Sequence, residues 1–212
     1  MTRLIQVLLI LGVAAFSVFA GAERNMRIAI IGFGSLIWNP GNLKIRSDFR
    51  IGGPEFPVEF ARVSKDKRLT LVISPTAPKQ VSWYADSAFE RLADAVENLR
   101  EREEAKTAAS IHFLSRENGS ATAASGETVE IARLWLNQHP EFDAIVWTGL
   151  GSNWKQKTGQ AFSEASVVKY LSDLRGAELA TAKEYILRAP YNIQTPLRRA
   201  IMSHFGCQWA LE

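Results

Sequence analysis

IIGFGSLIWNP, at residues 30–40, is the most informative stretch of this 212-residue chain. It continues an apolar run that starts at Ile28, and this run predicts a buried strand over residues 28–31. Gly-Phe-Gly-Ser follows the strand directly. Because glycine has no Cβ, backbone N–H groups at such a strand end can turn together toward a ligand. The stretch therefore predicts a loop that holds a small anionic group by its backbone, with an ordinary tight turn as the alternative.

Two familiar glycine motifs do not fit this loop. A dinucleotide-binding fingerprint needs a third glycine, where a helix opens, but the chain has Ile37 there and Asn-Pro-Gly-Asn at residues 39–42 stops a helix. A nucleophile elbow centred on Ser35 needs glycine two residues to either side, and Phe33 and Ile37 occupy those positions. The sequence thus argues against a dinucleotide site and against a serine nucleophile here.

GFGSLIWNP, at residues 32–40, resembles the signature loop of the gamma-glutamyl cyclotransferase-like superfamily, whose usual form is Gly-Tyr-Gly-Ser-Leu. The ending Ile-Trp-Asn-Pro is most similar to the ChaC branch, which acts on glutathione. The resemblance implies an α+β fold around a small mixed β-barrel with surrounding helices. It also implies a reaction without metal or cofactor, in which a γ-glutamyl amide closes on its own α-amine. The products would be 5-oxoproline and a released amine or peptide.

One glutamate is the candidate acid/base. Ser87-x-x-Glu90 is a capping box and predicts a helix over residues 88–104, with an apolar stripe at Phe89, Leu92, Val96 and Leu99. At about 100° per residue, Glu103 falls within roughly 20° of the direction of Leu92. By the same count Glu97 and Glu101 point away from the stripe. The periodicity therefore selects Glu103 as the carboxyl that faces inward.

Glu103 also suits the chemistry of cyclisation. One carboxyl can take a proton from the α-ammonium and give one to the departing nitrogen. Near a helix C-terminus a negative charge is disfavoured by ~0.3–1 kcal/mol, so a buried acid there should have a raised pKa. The alternative is a solvated glutamate at a frayed helix end. Leu-Arg-Glu-Arg-Glu at residues 99–103 resembles the Leu-x-x-Arg-Glu segment of ChaC-type enzymes, whose final Glu is the catalytic acid/base. The chain then departs from those enzymes, which have Gly-Tyr a few residues on, where this chain has Ala105-Lys106-Thr107.

The predicted substrate-binding residues are Phe33, Gly34, Ser35, Leu36 and Arg62. Ser35 and the loop N–H groups are expected to hold the α-carboxylate of the substrate or to stabilise its amide oxygen as charge develops. Arg62 is expected to pair with a substrate carboxylate, with a plain surface charge as the alternative.

Composition narrows the remaining classes of function. A hydrophobic content of 47% fits one domain, over residues 26–212, and the interleaved strands and helices favour an α+β fold over a doubly wound sheet. The net charge is +3, with no Lys/Arg cluster among aromatics, so no nucleic acid partner is expected. One cysteine and three scattered histidines give neither a disulfide framework nor metal-ligand spacing. The expected partner is a small γ-glutamyl molecule.

Residues 1–25 form a separate segment. Arg3 precedes an apolar stretch over residues 4–20, and Ala20-Gly21-Ala22 is an Ala-x-Ala cleavage pattern. These features predict a secretory signal peptide or a short membrane anchor, and hence a periplasmic, secreted or anchored protein. The alternative is a cytoplasmic protein whose translation starts at Met26.

Two classes of function remain open. One is the cyclotransferase; the other is a non-catalytic protein of the same fold that binds a small anion or a peptide. The position of Glu103 discriminates between them. A carboxyl in the same cavity as the loop of residues 33–36 favours catalysis.

A chain starting at Met26 is expected to be soluble and folded, because the first predicted strand enters the core without a preceding apolar helix. Circular dichroism and gel filtration of this chain check the expectation. Aggregation of the shortened chain beside a well-behaved full-length protein would show that residues 1–25 belong to the fold.

Overall fold

A computed structural model describes residues 25–117, 119, 121–122 and 125–209. Its strands are β1 (Ile28–Gly32), β2 (Arg50–Val63), β3 (Leu69–Ile73), β4 (Lys79–Asp86), β5 (Ile111–Ser115), β6 (Ala121–Thr122) and β7 (Ala144–Thr148). Its helices are α1 (Leu92–Arg102), α2 (Gly126–Gln138), α3 (Trp154–Thr158), α4 (Glu164–Asp173), α5 (Gly176–Arg188) and α6 (Pro196–Trp209), and a short 3₁₀ helix covers Ala108–Ser110. The predicted α+β class is confirmed. The predicted leader lies outside the described residues apart from Asn25, and no helix within them is long and apolar enough to span a bilayer.

The seven strands form one mixed sheet in the order β3-β2-β4-β1-β7-β5-β6. Among the strands that the structure describes, β3 and β6 end the order and do not pair with each other. The sheet is therefore open, and the expected closed barrel is not confirmed. The pairing of β1 with β7 is parallel, with Ile31 opposite Trp147, and the other strand pairs are antiparallel. Parallel neighbours end at the same edge of a sheet. The loops that follow β1 and β7 therefore leave the sheet side by side.

The sheet is covered on both faces. Side chains alternate along β1, so that Ile28 and Ile30 join one apolar cluster while Ala29 and Ile31 join the other. The first cluster lies between the sheet and α1, whose Leu99 is fully buried. The second is larger and includes buried residues of α2 to α6. Since both faces of β1 are buried, this strand fixes the starting point of the loop that follows it.

Helix α1 begins four residues later than predicted, and the capping box is wrong. Ser87 extends β4 by an isolated bridge to Ile45, and its hydroxyl accepts a hydrogen bond from the Phe89 N–H at 3.0 Å. The Glu90 carboxylate pairs with Arg46 at 2.7 Å. Both groups of the expected box are therefore occupied by contacts that the local pattern does not show.

The C-terminal end of α1 is a Schellman motif. The Ala105 N–H donates to the Arg100 carbonyl at 3.0 Å and the Glu104 N–H donates to the Glu101 carbonyl at 3.1 Å. Glu104 takes the left-handed conformation, with φ of 48°, where most such motifs have glycine. Glu103 is the C-cap and so lies one position before the chain turns away.

Glu104→Gly is expected to raise Tm by about 2–4 °C, because glycine adopts the left-handed conformation without the Cβ clash. The ion pair lost with Lys65 is solvent-exposed and contributes little. Thermal unfolding followed by circular dichroism measures the change. Glu104→Ala is the matched control, since it loses the same ion pair but keeps the strain. An equal or larger rise in the alanine variant would contradict the assignment of strain.

Candidate active site

A cavity of about 1100 Å³ lies at the edge of the sheet where β1 and β7 end. Its walls come from the loop after β1, strands β2 and β3, the end of α1, and α5. The six residues predicted for the site all line it: Phe33, Gly34, Ser35, Leu36, Arg62 and Glu103. The structure thus brings the loop and the candidate acid together in one place.

The loop after β1 forms one helical turn. The Ile37 N–H donates to the Gly34 carbonyl at 3.1 Å and the Asn39 N–H donates to the Ser35 carbonyl at 2.8 Å. These bonds leave the N–H groups of Gly34 and Leu36 without an acceptor among the residues that the structure describes. Both residues line the cavity. The loop is therefore a tight turn, which was the alternative to an anion-binding loop. A turn of this kind also offers backbone donors to an anion.

The side chain of Tyr185 leaves no room for a Cβ at position 34. A Cβ on Gly34 would lie 2.5 Å from the Tyr185 hydroxyl oxygen, far inside van der Waals contact. The same oxygen accepts a hydrogen bond from the Leu71 N–H at 3.4 Å, and Trp38 packs edge-on against the ring at 5.2 Å. Burial raises the pKa of Tyr185 to about 12, so the phenol is neutral near pH 7. Sequence reasoning missed Tyr185, which lies on α5 with no motif around it.

Glu103 is the buried carboxyl at the end of α1. Its side chain is 16% exposed, whereas Glu97 and Glu101 lie on the exposed side of the helix, as the apolar stripe predicted. Burial raises the pKa of Glu103, and the positive charges of Arg102 and Arg62 oppose that rise. A carboxyl with a raised pKa keeps its proton to a higher pH than an ordinary glutamate does, which favours a role in proton exchange.

Arg102 connects Glu103 to the loop. Its guanidinium donates to Glu103 Oε1 at 2.9 Å, to Ser35 Oγ at 3.2 Å and to the Asn39 carbonyl at 2.6 Å. The Arg102 side chain is 12% exposed. Asn98, one turn earlier on α1, accepts a hydrogen bond from the Lys44 N–H at 2.8 Å. Arg102 and Asn98, both on α1, therefore fix the loop and the segment that follows it. Sequence reasoning missed both, although Arg102 stands beside Glu103.

Arg62 is held at the wall of the cavity. The pairing of β2 with β3 shifts register between Phe60 and Arg62, and such a bulge redirects the side chains that follow it. The Arg62 guanidinium donates to the Gly151 carbonyl at 2.8 Å, in the glycine-rich loop after β7. The Asn153 side chain fixes that loop by pairing with both backbone groups of Val63, at 2.8 and 2.9 Å. Arg62 therefore is not a freely solvated surface charge.

Six other charged side chains around the cavity form ion pairs with one another. Lys65 contacts Glu104 and Arg188 contacts Glu184, each at 2.9 Å or less. Arg68 contacts Asp66 at 2.8 Å. Within residues 25–117, 119, 121–122 and 125–209, no group of three or more His, Cys, Asp or Glu side chains is arranged to hold a metal ion.

The site thus combines backbone donors, a neutral phenol, two arginines and a buried acid in one cavity. No protein-family model matches this chain, and no curated protein matches its sequence.

Proposed function

We propose that this protein is a gamma-glutamyl cyclotransferase. The observation that carries the proposal is the presence of Glu103, a buried carboxyl with a raised pKa, in the same cavity as the Gly-Phe-Gly-Ser-Leu loop. Membership of the cyclotransferase-like superfamily is part of the proposal. The closed barrel is not, because the sheet is open.

The first step is proton transfer followed by ring closure. Ionised Glu103 accepts a proton from the α-ammonium of the substrate, and the freed lone pair of that nitrogen forms a bond to the γ-carbonyl carbon. The electron pair of the C=O bond moves to its oxygen. Backbone N–H groups of the loop are positioned to donate to this oxyanion or to the α-carboxylate.

The second step breaks the original amide. The oxyanion re-forms the carbonyl as the bond to the leaving nitrogen breaks, and Glu103 donates its proton to that nitrogen. The ring nitrogen loses its extra proton, which ends on the released amine as an ammonium. The products are 5-oxoproline and the amine, and Glu103 is ionised again. No redox partner is needed for this balance.

The remaining residues hold the substrate in position. Ser35 is oriented by Arg102, which also contacts Glu103, so that one guanidinium sets the distance between loop and acid. Tyr185 closes the wall behind Gly34. Arg62 supplies a positive charge for a carboxylate of the substrate.

Incubation of the purified protein with a panel of γ-glutamyl amines, γ-glutamyl amino acids and glutathione tests the proposal. Chromatographic detection of 5-oxoproline is the measurement. Glu103→Gln is expected to lower the rate by at least about 10²-fold, since it removes the transferable proton while keeping size and packing. Glu101→Gln, on the exposed side of α1, is the matched control and should be nearly as active as the wild type.

Two results would contradict this proposal. Binding of γ-glutamyl compounds without turnover would favour the non-catalytic alternative. Equal activity of the two variants would mean that Glu103 is not the acid/base.

The stability of Glu103→Gln should depend on pH in a definite direction. Because burial raises the pKa of Glu103 in the folded protein, the free energy of unfolding is highest below the pKa that Glu103 has in the unfolded chain. It falls as pH rises through the folded-state pKa. Burial of this carboxyl therefore lowers the free energy of unfolding at pH 7 relative to acidic pH. Tm of Glu103→Gln should exceed that of the wild type at pH 7, and the gap should close toward about pH 4, near the unfolded pKa.

Thermal melts of Glu103→Gln, Glu101→Gln and the wild type across this pH range provide the comparison. Glu101→Gln should show no such pH-dependent gap. A lower Tm for Glu103→Gln at pH 7 would mean that the ion pair with Arg102 outweighs the cost of burial.

A further inference from the structure

The charged side chains that line the cavity do not balance. Among the residues that the structure describes, six cationic and four acidic side chains line it. Each of the four carboxylates is paired with one of these cations, and they belong to Asp66, Glu103, Glu104 and Glu184. Arg62 and Lys106 are the two cations left without a carboxylate partner in the described part of the chain. With Glu103 ionised, the lining of the cavity therefore has an excess of two positive charges.

Arg62 keeps donors free for a ligand. It is half-buried in the wall of the cavity, and its Nη1 donates to the Gly151 carbonyl at 2.8 Å. Its other guanidinium N–H groups have no acceptor among the described residues. The charge of Arg62 also lowers the pKa of Glu103, so the two groups lie close enough to interact. Arg62 is thus placed to pair with a carboxylate close to the reacting amide.

Lys106 lines the same cavity from the end of α1 and is exposed. The residue before it is fixed, because the Ala105 N–H donates to the Arg100 carbonyl at 3.0 Å and Arg100 Nη1 donates to the Ala105 carbonyl at 2.8 Å. A lysine carries its charge on a flexible four-carbon stem. From this fixed starting point, the ammonium of Lys106 can pair with a carboxylate farther from the reacting amide than the one beside Arg62.

Charge distinguishes the classes of γ-glutamyl compound. The γ-glutamyl group itself has one ammonium and one carboxylate, for which Glu103 and the backbone N–H groups of the loop are the proposed partners. A departing alkylamine adds no charge, a neutral amino acid adds one carboxylate, and glutamate or aspartate adds two. Two cations without partners in a cleft match the last class, because complementary charge attracts a ligand and fixes its orientation.

We propose that the preferred substrate is a γ-glutamyl dipeptide whose departing residue is an acidic amino acid. Arg62 pairs with the C-terminal carboxylate of the departing residue, and Lys106 pairs with its side-chain carboxylate. This choice of substrate rests on the proposed function. The bonds that form and break are those of the cyclisation already described, and the released amine is glutamate or aspartate.

The preference is measured with γ-glutamylglutamate and γ-glutamylglutamine, which have nearly the same shape and differ by one charge. For the full-length protein, kcat/KM should be about 3- to 5-fold higher for γ-glutamylglutamate, as expected for a partly exposed ion pair. Equal values for the two compounds, with normal turnover of both, would overturn this inference and leave the cyclotransferase proposal standing.

Variants of Lys106 assign the preference to one side chain. Lys106→Met keeps most of the stem and removes the charge, so the ratio of the two kcat/KM values should fall to within about 1.5-fold of unity. Lys106→Arg keeps the charge and should keep the preference. Lys157→Met is the matched control, because Lys157 is exposed on α3 and does not line the cavity. A preference that persists in Lys106→Met, or is lost equally in Lys157→Met, would overturn the role of Lys106.

Binding separates this inference from the proposed function. Calorimetric Kd values for the two compounds are measured on Glu103→Gln, in which turnover is expected to be slow. Tighter binding of γ-glutamylglutamate, together with absence of 5-oxoproline formation by the wild type, would defeat the proposed function and support the recognition of an acidic residue. Equal Kd values would overturn the recognition, whether or not the wild type forms 5-oxoproline.

Discussion

The cavity depends on the guanidinium of Arg102. This group contacts Glu103, Ser35 and the carbonyl of Asn39, and thereby joins the end of α1 to the loop after β1. A guanidinium is planar and presents its donors in a fixed fork, so that the three acceptors are held at set distances and angles. A lysine could satisfy the charge but could not reproduce this geometry. Because the side chain is largely buried, these acceptors replace the water that would otherwise satisfy its donors.

Burial and the neighbouring charges have opposing effects on the pKa of Glu103. Burial favours the protonated form of Glu103, while the charges of Arg102 and Arg62 favour the carboxylate. The Tyr185 phenol, which is neutral until about pH 12, adds polarity without adding charge. Since burial has the largest effect, the pKa of Glu103 lies above its ordinary value. A raised pKa of this kind is what the proposed role of Glu103 in proton exchange requires.

Features that depend on nearby residues could be predicted from the sequence, and features that depend on distant contacts could not. The buried strand, its glycine-rich exit and the inward direction of Glu103 follow from periodicity within one element. The start of α1 does not, because Ser87 is drawn into a bridge with Ile45. Nor does the wall of the cavity, because Tyr185 reaches Gly34 from the other end of the chain. The barrel came from the resemblance alone, and the sheet is open instead.

The contact between Gly34 and Tyr185 has a consequence for how the protein is made. The loop and Glu103 are synthesised before their wall, because that wall is supplied by α5, which follows them in the sequence. The partner strand of β1, β7, also follows Glu103 in the sequence. Contacts that close such long loops form after local ones. Glu103 and the loop therefore lack the wall that encloses their cavity until α5 has been synthesised.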